Sequence, residues 1–143
     1  MASWFSYEYT RDVGATRRFY RDLIGLEPVW DGPDSVGFVH DCVQVTFDYA
    51  EDAPERQAWA CQPGWSNGQL ADAPDTRQLP SISIALGPDR FRAAVDRLME
   101  AGVEALRVEP FWVGYWWYVV RDPAGRTIEL SDPVSGRDPV TRN

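Results

Sequence analysis

The stretch Asp12–Leu26, DVGATRRFYRDLIGL, predicts an amphipathic helix that follows a strand. Its apolar side chains recur about three and four residues apart, so they share one helical face. Asp12 can cap the first turn with its carboxylate, and Gly25 can end the last turn in a left-handed conformation. The preceding segment, Ser3–Tyr9, is rich in aromatic residues and is predicted as a strand. Further strands are predicted after the helix at Glu27–Trp30, Val36–His40 and Val43–Tyr49.

The second half of the sequence repeats this order. Ile82, Ile84 and Leu86 alternate with smaller residues and predict a strand. A helix is predicted to begin at Pro88, which suits a first helical turn, to continue through the segment Asp89–Gly102, DRFRAAVDRLMEAG, and to end at Gly102. Further strands are predicted at Ala105–Glu109, Tyr115–Arg121 and Thr127–Ser131.

A gap-free alignment of the two halves indicates an internal repeat. When Gly25 is aligned with Gly102, Asp12 falls on Asp89, and strand and helix coincide. We therefore predict an α+β fold built from two tandem βαβββ modules. The first module is assigned to residues 1–49 and the second to 80–133, with a long connecting loop at 50–79 and a C-terminal tail at 134–143.

The composition disfavours several classes of protein. No stretch approaches the about 20 apolar residues that a transmembrane helix needs, and the N-terminus lacks the basic-then-apolar pattern of a signal peptide. The formal charge of −8 disfavours binding to the phosphate backbone of nucleic acids. We expect a cytoplasmic protein with no membrane or nucleic-acid partner, in which Cys42 and Cys61 are free thiols.

Two motifs resemble those of the vicinal oxygen chelate superfamily, which includes glyoxalase I, extradiol dioxygenases, fosfomycin-modifying enzymes and bleomycin resistance proteins. They are FYRDLIGL at Phe19–Leu26 and VVRDPAGRTIEL at Val119–Leu130. The resemblance covers about Ser3 to Pro133. It implies two βαβββ modules whose curved mixed sheets enclose a cleft, often completed in a dimer.

The resemblance also implies where a metal ion would be held. Enzymes of the superfamily typically use a histidine from the first strand of each module and carboxylates from later strands. Neither predicted first strand contains a histidine, and His40 is the only histidine in the chain. Glu129 occupies one carboxylate position, and its counterpart falls near Thr46. We expect no metal and no other cofactor, although Glu8, Asp48 and Glu129 could form an all-oxygen magnesium or manganese site.

No set of residues in the sequence matches a known nucleophile-and-base pattern, and we assign no catalytic residue. A pair of carboxylates such as Glu8 and Glu129 could act as acid and base if both line the cleft. The serine-triad pattern is absent, because no serine lies in a nucleophile-elbow motif. The sequence also lacks a phosphate-binding glycine loop.

The segment Glu109–Tyr118, EPFWVGYWWY, is the most aromatic part of the chain. Strand alternation sends Trp116 and Tyr118 to one face and Trp117 to the other, and the sequence leaves open which face lines the cleft. In the second half, Ile82, Ile84 and Leu86 are predicted to pack against the helix, which leaves Ser81, Ser83 and Ala85 facing the cleft. By the gap-free alignment, Trp4, Ser6 and Glu8 are predicted to face the cleft as well, with Phe5, Tyr7 and Tyr9 against the helix. Gln44, Thr46 and Asp48 are predicted to face the cleft as well. The predicted ligand-binding residues are Trp4, Glu8, Gln44, Trp59, Trp65, Trp112, Trp116, Trp117 and Glu129.

An acidic, aromatic-rich chain without the metal-binding histidines most resembles the bleomycin resistance branch. That resemblance implies a metal-free homodimer that captures a bulky, partly planar aromatic molecule, such as an antibiotic or other natural product, in tryptophan-lined clefts. The alternative is an enzyme of the superfamily, a lyase, isomerase or oxygenase, acting through cleft carboxylates or an atypical metal site. A third alternative is that the aromatic side chains fill the cleft and pack a dimer interface.

Overall fold

The computed structural model describes residues 2–55, 59 and 81–137. Contacts divide the chain into two compact units. Unit 1 comprises Met1–Arg56 with Asp122–Ala124, and unit 2 comprises Gln57–Arg121 with Gly125–Asn143. Trp65 and Cys61, to which roles were assigned above, lie outside the described residues. The sequence-based boundaries of the modules, connecting loop and tail stay a prediction.

Unit 1 contains a four-stranded mixed sheet, sheet 1, and one helix. The strands are β1 (Trp4–Thr10), β2 (Glu27–Asp31), β3 (Ser35–His40) and β4 (Val43–Tyr49), in the order β1-β4-β3-β2. β1 is parallel to β4, and the other pairs are antiparallel. Helix α1 is α-helical over Val13–Arg17 and continues as a π-helix over Arg18–Ile24.

Both ends of α1 form as the sequence predicts. Asp12 caps the helix, because its Oδ1 accepts a hydrogen bond from the Ala15 amide at 2.8 Å. Gly25 ends it with a φ of 91°, a conformation that costs a glycine little. The core of unit 1 is aromatic: the ring of Tyr20 stacks on Phe47 at 4.7 Å and lies 5.7 Å from Phe38. Helix α1 therefore covers the face of sheet 1 that contains these two phenylalanines.

Unit 2 repeats the plan with a second four-stranded mixed sheet, sheet 2. Its elements are β5 (Ser81–Ala85), α2 (Pro88–Glu100), β6 (Phe111–Trp112), β7 (Trp116–Arg121) and β8 (Thr127–Asp132), with the strand order β5-β8-β7-β6. Helix α2 buries one apolar face, formed by Phe91, Ala94, Val95 and Leu98. The predicted α+β fold of two tandem βαβββ modules is confirmed.

The strand predicted at Ala105–Glu109 is wrong. Ala105 makes only an isolated bridge to Val120, and the edge strand is instead the short β6. Leu106 packs against the apolar cluster of sheet 2, but Val108 is 86% exposed, so the segment does not continue as a strand with one packed face. In the described part of the chain, no helix combines the length and apolar character needed to cross a membrane.

Candidate functional sites on the sheet faces

The pairing register of sheet 1 decides which residues of β1 face the helix, because directly paired residues point to the same side of a sheet. Glu8 pairs with Phe47, which lies against α1, whereas Tyr7 pairs with Thr46. The hydroxyl of Thr10, two residues beyond Glu8, lies 3.0 Å from that of Thr16 in α1. Trp4, Ser6 and Glu8 therefore lie on the helix side, and their predicted orientation toward the cleft is wrong.

The error comes from the gap-free alignment of the two halves. Helix α1 is capped by Asp12, but the N-cap of α2 is Gly87 rather than Asp89. The gap-free alignment sets Glu8 on Ala85, but Glu8 pairs with the helix-side Phe47 just as Ile84, one residue before Ala85, pairs with the helix-side Leu130. A shift of one residue moves every side chain of a strand to the opposite face.

The face of sheet 1 opposite α1, here called far face 1, carries a row of aromatic residues that sequence analysis missed. Phe5, Tyr7, Tyr9 and Trp30 are 58, 65, 54 and 60% exposed. Trp30 pairs with Gly37, which in turn pairs with Thr46 next to Tyr7. A Cβ atom on Gly37 would lie 3.3 Å from the Trp30 Cβ and 3.2 Å from the Thr46 hydroxyl, so glycine leaves room for both neighbours.

Polar side chains lie among these aromatic rings. Gln44 pairs with Phe5, Thr46 with Tyr7, and Asp48 with Tyr9. The predicted placement of Gln44, Thr46 and Asp48 on the side away from the helix is therefore confirmed. Far face 1 combines aromatic surface with an amide, a hydroxyl and a carboxylate, which is the composition of many small-molecule sites.

The face of sheet 2 opposite α2, far face 2, is built around Glu129. Ser83 pairs with Glu129, and the hydroxyl of Ser81 donates to Glu129 Oε2 at 2.8 Å. Glu129 is only 1% exposed, so its carboxylate is enclosed by the protein. Both serines lie on the predicted face.

Tyr115 shares the electrostatic environment of Glu129. Burial, and then the negative charge of Glu129, raise the pKa of the Tyr115 hydroxyl above 10.0. Both effects disfavour the phenolate, so the hydroxyl stays protonated and can act as a donor. A buried carboxylate beside a hydroxyl group can act as a general base, and the hydroxyl can act as a general acid.

The register also answers the question that strand alternation left open. Trp117 pairs with Ser131 and lies on far face 2, whereas Trp116 and Tyr118 pair with Asp132 and Leu130 on the helix side. Trp117 is 1% exposed and belongs to a cluster packed by the chain's own side chains. That cluster consists of Val113, Trp117 and Val119, with Trp59, Leu106, Phe111 and Tyr115 against it.

Two further tryptophans of the predicted set have contacts within unit 2. The Arg121 guanidinium lies over the ring of Trp59 at 4.1 Å and also pairs with Glu104 at 3.1 Å. Trp112, which lies outside the strands predicted from the sequence, is in β6 and pairs with Trp116 on the helix side. Ligand binding by these residues stays a prediction.

The described residues do not fit the metal site of the superfamily. Glu8 and Asp48 lie on opposite faces of sheet 1, so they cannot share one metal ion in an all-oxygen site. Within residues 2–55, 59 and 81–137 there is no group of three or more His, Cys, Asp or Glu side chains that could hold a metal. The far-face positions of β1 and β5 carry Phe5, Tyr7, Tyr9, Ser81, Ser83 and Ala85, none of which is a histidine or a carboxylate.

Comparison with known proteins agrees with this architecture. Residues 8–130 match the family model of the Glyoxalase/Bleomycin resistance protein/Dioxygenase superfamily. The chain therefore belongs to that superfamily. A search of curated protein sequences returns no match.

Solved structures similar to this chain show the same fold at low identity. Lactoylglutathione lyase from Agrobacterium tumefaciens is 18% identical over 92% of each chain, with a TM-score of 0.55. The oxidase ChaP-H2 is 17% identical over 95% of this chain and 96% of its own, with a TM-score of 0.61. A glyoxalase/bleomycin resistance protein from Albidiferax ferrireducens is 13% identical over 90% and 96%, with a TM-score of 0.61.

Proposed function

We propose that this protein captures a partly planar aromatic small molecule, such as an antibiotic or other natural product, and acts by binding rather than by turnover. The observation that supports this proposal is the row of exposed aromatic side chains on far face 1, at Phe5, Tyr7, Tyr9 and Trp30. Aromatic rings stack on planar molecules, and clustered exposed aromatics are uncommon on surfaces that bind nothing. Capture of a toxic compound in this way confers resistance without chemistry.

The polar groups of far face 1 suggest which ligands are favoured. Gln44 and Thr46 can form hydrogen bonds to a ligand, and Asp48 attracts a positive charge on it. The net charge of the chain, −8, adds a long-range attraction for cations. The ligand in this proposal is therefore aromatic and neutral or cationic, not anionic.

A homodimer is part of the proposal. The exposed aromatic rings would lose contact with water if a second copy of the chain covered the bound ligand, and apolar burial stabilises such an assembly by about 25 cal/mol per Å². If far face 1 packs directly against the second copy instead, the aromatics form the interface and no ligand binds there.

An enzymatic function is the second candidate, and Glu129 supports it. This carboxylate is buried, accepts a hydrogen bond from Ser81 and lies within electrostatic reach of Tyr115. A carboxylate in such surroundings can accept a proton from a substrate while a hydroxyl donates one. Two solved structures with the same fold are named as a lyase and an oxidase. The alternative to capture is therefore a lyase, isomerase or oxygenase reaction.

Tryptophan fluorescence of the purified protein, titrated with bleomycin-type and polycyclic aromatic antibiotics, tests the proposal. Capture predicts saturable quenching and a ligand recovered chemically unchanged. Tyr7→Ala and Trp30→Ala should each weaken binding about fivefold, since one stacking contact is worth about 1 kcal/mol. Tyr49→Ala is the matched control, because Tyr49 is 50% exposed but pairs with Thr10 on the helix side of the same sheet.

Two results would contradict capture on far face 1. If Tyr7→Ala and Tyr49→Ala change affinity equally, the ligand does not bind this face. If the ligand is returned chemically altered and Glu129→Gln stops the conversion, the enzymatic candidate replaces capture. Analytical ultracentrifugation of Tyr7→Ala distinguishes capture from the alternative in which far face 1 is a dimer interface. The interface alternative predicts that this variant dissociates into monomers.

A further inference from the structure

A cavity of about 420 Å³ lies on the helix side of sheet 2, away from Glu129 and from far face 2. Helix α2 contributes Phe91, Val95 and Met99 to its lining, and Pro110 and Trp116 complete the apolar wall. Pockets that hold small molecules are typically about 300–1,000 Å³ and mostly apolar. The cavity has the size and the lining of a binding site for a molecule of one or two rings.

The charged residues that line the cavity are predominantly acidic. Asp96, Glu109 and Asp132 contribute carboxylates, whereas Arg92 contributes the one guanidinium among the lining residues described. Asp96 and Glu109 are exposed, and Asp132 is buried with an exposure of 3%. The lining thus places two exposed carboxylates and one buried carboxylate around an apolar wall.

Asp132 is held in place by the turn that follows β8. Its Oδ1 accepts hydrogen bonds from the backbone amides of Val134 at 2.9 Å and Ser135 at 3.1 Å. Burial alone raises the pKa of Asp132, but the Ser135 side chain, these two amides and the Arg92 charge together lower it below 3.8. The carboxylate therefore keeps its negative charge at neutral pH inside a largely apolar wall.

Trp116 is fixed in orientation. Its indole Nε1 donates to the Gly136 carbonyl at 2.9 Å, and its ring packs edge-on against Trp112 at 5.7 Å and 75°. A rigid aromatic side chain loses little conformational entropy when a ligand packs against it. An aromatic ring and nearby carboxylates together favour ligands with a positive charge.

We propose that this cavity is a second small-molecule site, which takes an apolar molecule of one or two rings bearing a protonated amine. The apolar part packs against Phe91, Val95 and Trp116, and the ammonium group lies toward Asp132, Asp96 and Glu109. The site is independent of capture on far face 1, because the two sites share no residue.

A matched pair of probes tests the charge requirement. Naphthylethylamine is cationic at neutral pH, and naphthylethanol has the same ring and chain length without the charge. Isothermal titration calorimetry should give a dissociation constant for the amine at least about fivefold lower than for the alcohol. Equal affinities for the two probes, or no binding of either at millimolar concentration, would overturn the proposal.

Variants locate the binding. Met99→Trp, at a residue that is 40% exposed at the cavity, should occlude it and weaken amine binding more than about tenfold without disturbing the core. The double variant Asp96→Asn with Glu109→Gln should reduce the preference for the amine. Glu100→Gln is the control, because Glu100 is exposed on α2 and does not line the cavity. This variant removes one negative charge and should leave the affinity for the amine unchanged.

The tests of the two proposed sites are distinguishable. Tyr7→Ala should leave amine binding intact if the amine occupies the cavity. If Tyr7→Ala abolishes amine binding and Met99→Trp does not, the amine binds far face 1, so the cavity proposal fails while the capture proposal stands. Loss of amine binding in Met99→Trp with intact antibiotic quenching supports two separate sites.

Discussion

Replacement of Tyr20 by phenylalanine should destabilise the protein by about 2 kcal/mol. The Tyr20 hydroxyl donates to Asp122 Oδ2 at 2.7 Å, and the two residues are 0 and 5% exposed. A hydrogen bond to a charged group contributes about 1.5–3 kcal/mol, and its loss leaves the buried carboxylate with one donor fewer. The phenylalanine ring keeps the stacking on Phe47, so the change reports the hydroxyl and not a cavity.

Thermal and urea unfolding at neutral pH measure this loss. For a chain of 143 residues, 1 kcal/mol corresponds to about 3 °C, so the midpoint should fall by about 6 °C. Tyr49→Phe is the control, because the side chain is 50% exposed and its hydroxyl should contribute less than about 0.5 kcal/mol. A loss in Tyr20→Phe no larger than that of the control would refute the reasoning.

A double-mutant cycle with Asp122→Asn isolates the contact. The coupling between the two positions should be about 1 kcal/mol or more, since they share a buried hydrogen bond. Purely additive effects would show that the hydroxyl stabilises the fold in some other way. The Asp122 Oδ1 atom also accepts from the Ala124 amide at 2.9 Å, and asparagine retains an oxygen acceptor for it.

Three further predictions concern titratable groups. Because the folded pKa of Tyr115 is raised, its contribution to stability is complete below pH 10.0 and is lost at higher pH. In Tyr115→Phe, the free energy of unfolding should therefore fall less steeply above pH 10.0 than in the wild type. An unchanged dependence on pH would contradict this. Glu129→Gln should lower the Tyr115 pKa in an ultraviolet titration, because one of the two causes of the shift is removed, and a pKa that stays the same would mean that burial alone sets it. The folded pKa of Asp132 is lowered, so its contribution to stability is present above pH 3.8 and is lost as the pH falls. The difference in free energy of unfolding between wild type and Asp132→Asn should therefore shrink in acid. A constant difference would show that the charge of Asp132 is not involved.

The family resemblance that helped to predict the fold rests on two motifs, and these motifs meet in the contact between Tyr20 and Asp122. The motif at Phe19–Leu26 contributes the tyrosine, and the motif at Val119–Leu130 contributes the aspartate. The two motifs lie about a hundred residues apart in the sequence and meet in one buried hydrogen bond. Regular alternation of residues predicted individual strands such as Val43–Tyr49, whose predicted and observed bounds agree.

The faces of β1 were harder to predict, because the strand is aromatic on both sides. Trp4 lies on the helix side, and Phe5, Tyr7 and Tyr9 lie on far face 1, so no alternation of apolar and polar residues reveals the orientation. In β5, by contrast, serines alternate with isoleucines, and the prediction for Ser81 and Ser83 is confirmed. The clue that was missed is Thr10, whose short hydroxyl suits a contact with the first turn of a helix better than Tyr9 does.

The two far faces differ in a way that separates the two candidate functions. On far face 1 the aromatic rings are exposed, as Tyr7 and Trp30 show, and no carboxylate there is buried as Glu129 is. On far face 2, by contrast, the indole ring of Trp117 and the carboxylate of Glu129 are both buried, each 1% exposed. The capture proposal therefore rests on residues of unit 1, whereas the enzymatic candidate rests on residues of unit 2. Because the two faces share no residue, Trp30→Ala should weaken capture about fivefold without changing any turnover that depends on Glu129. Glu129→Gln should stop such turnover and leave the affinity for the captured ligand unchanged. A variant that changes both affinity and turnover would contradict this separation.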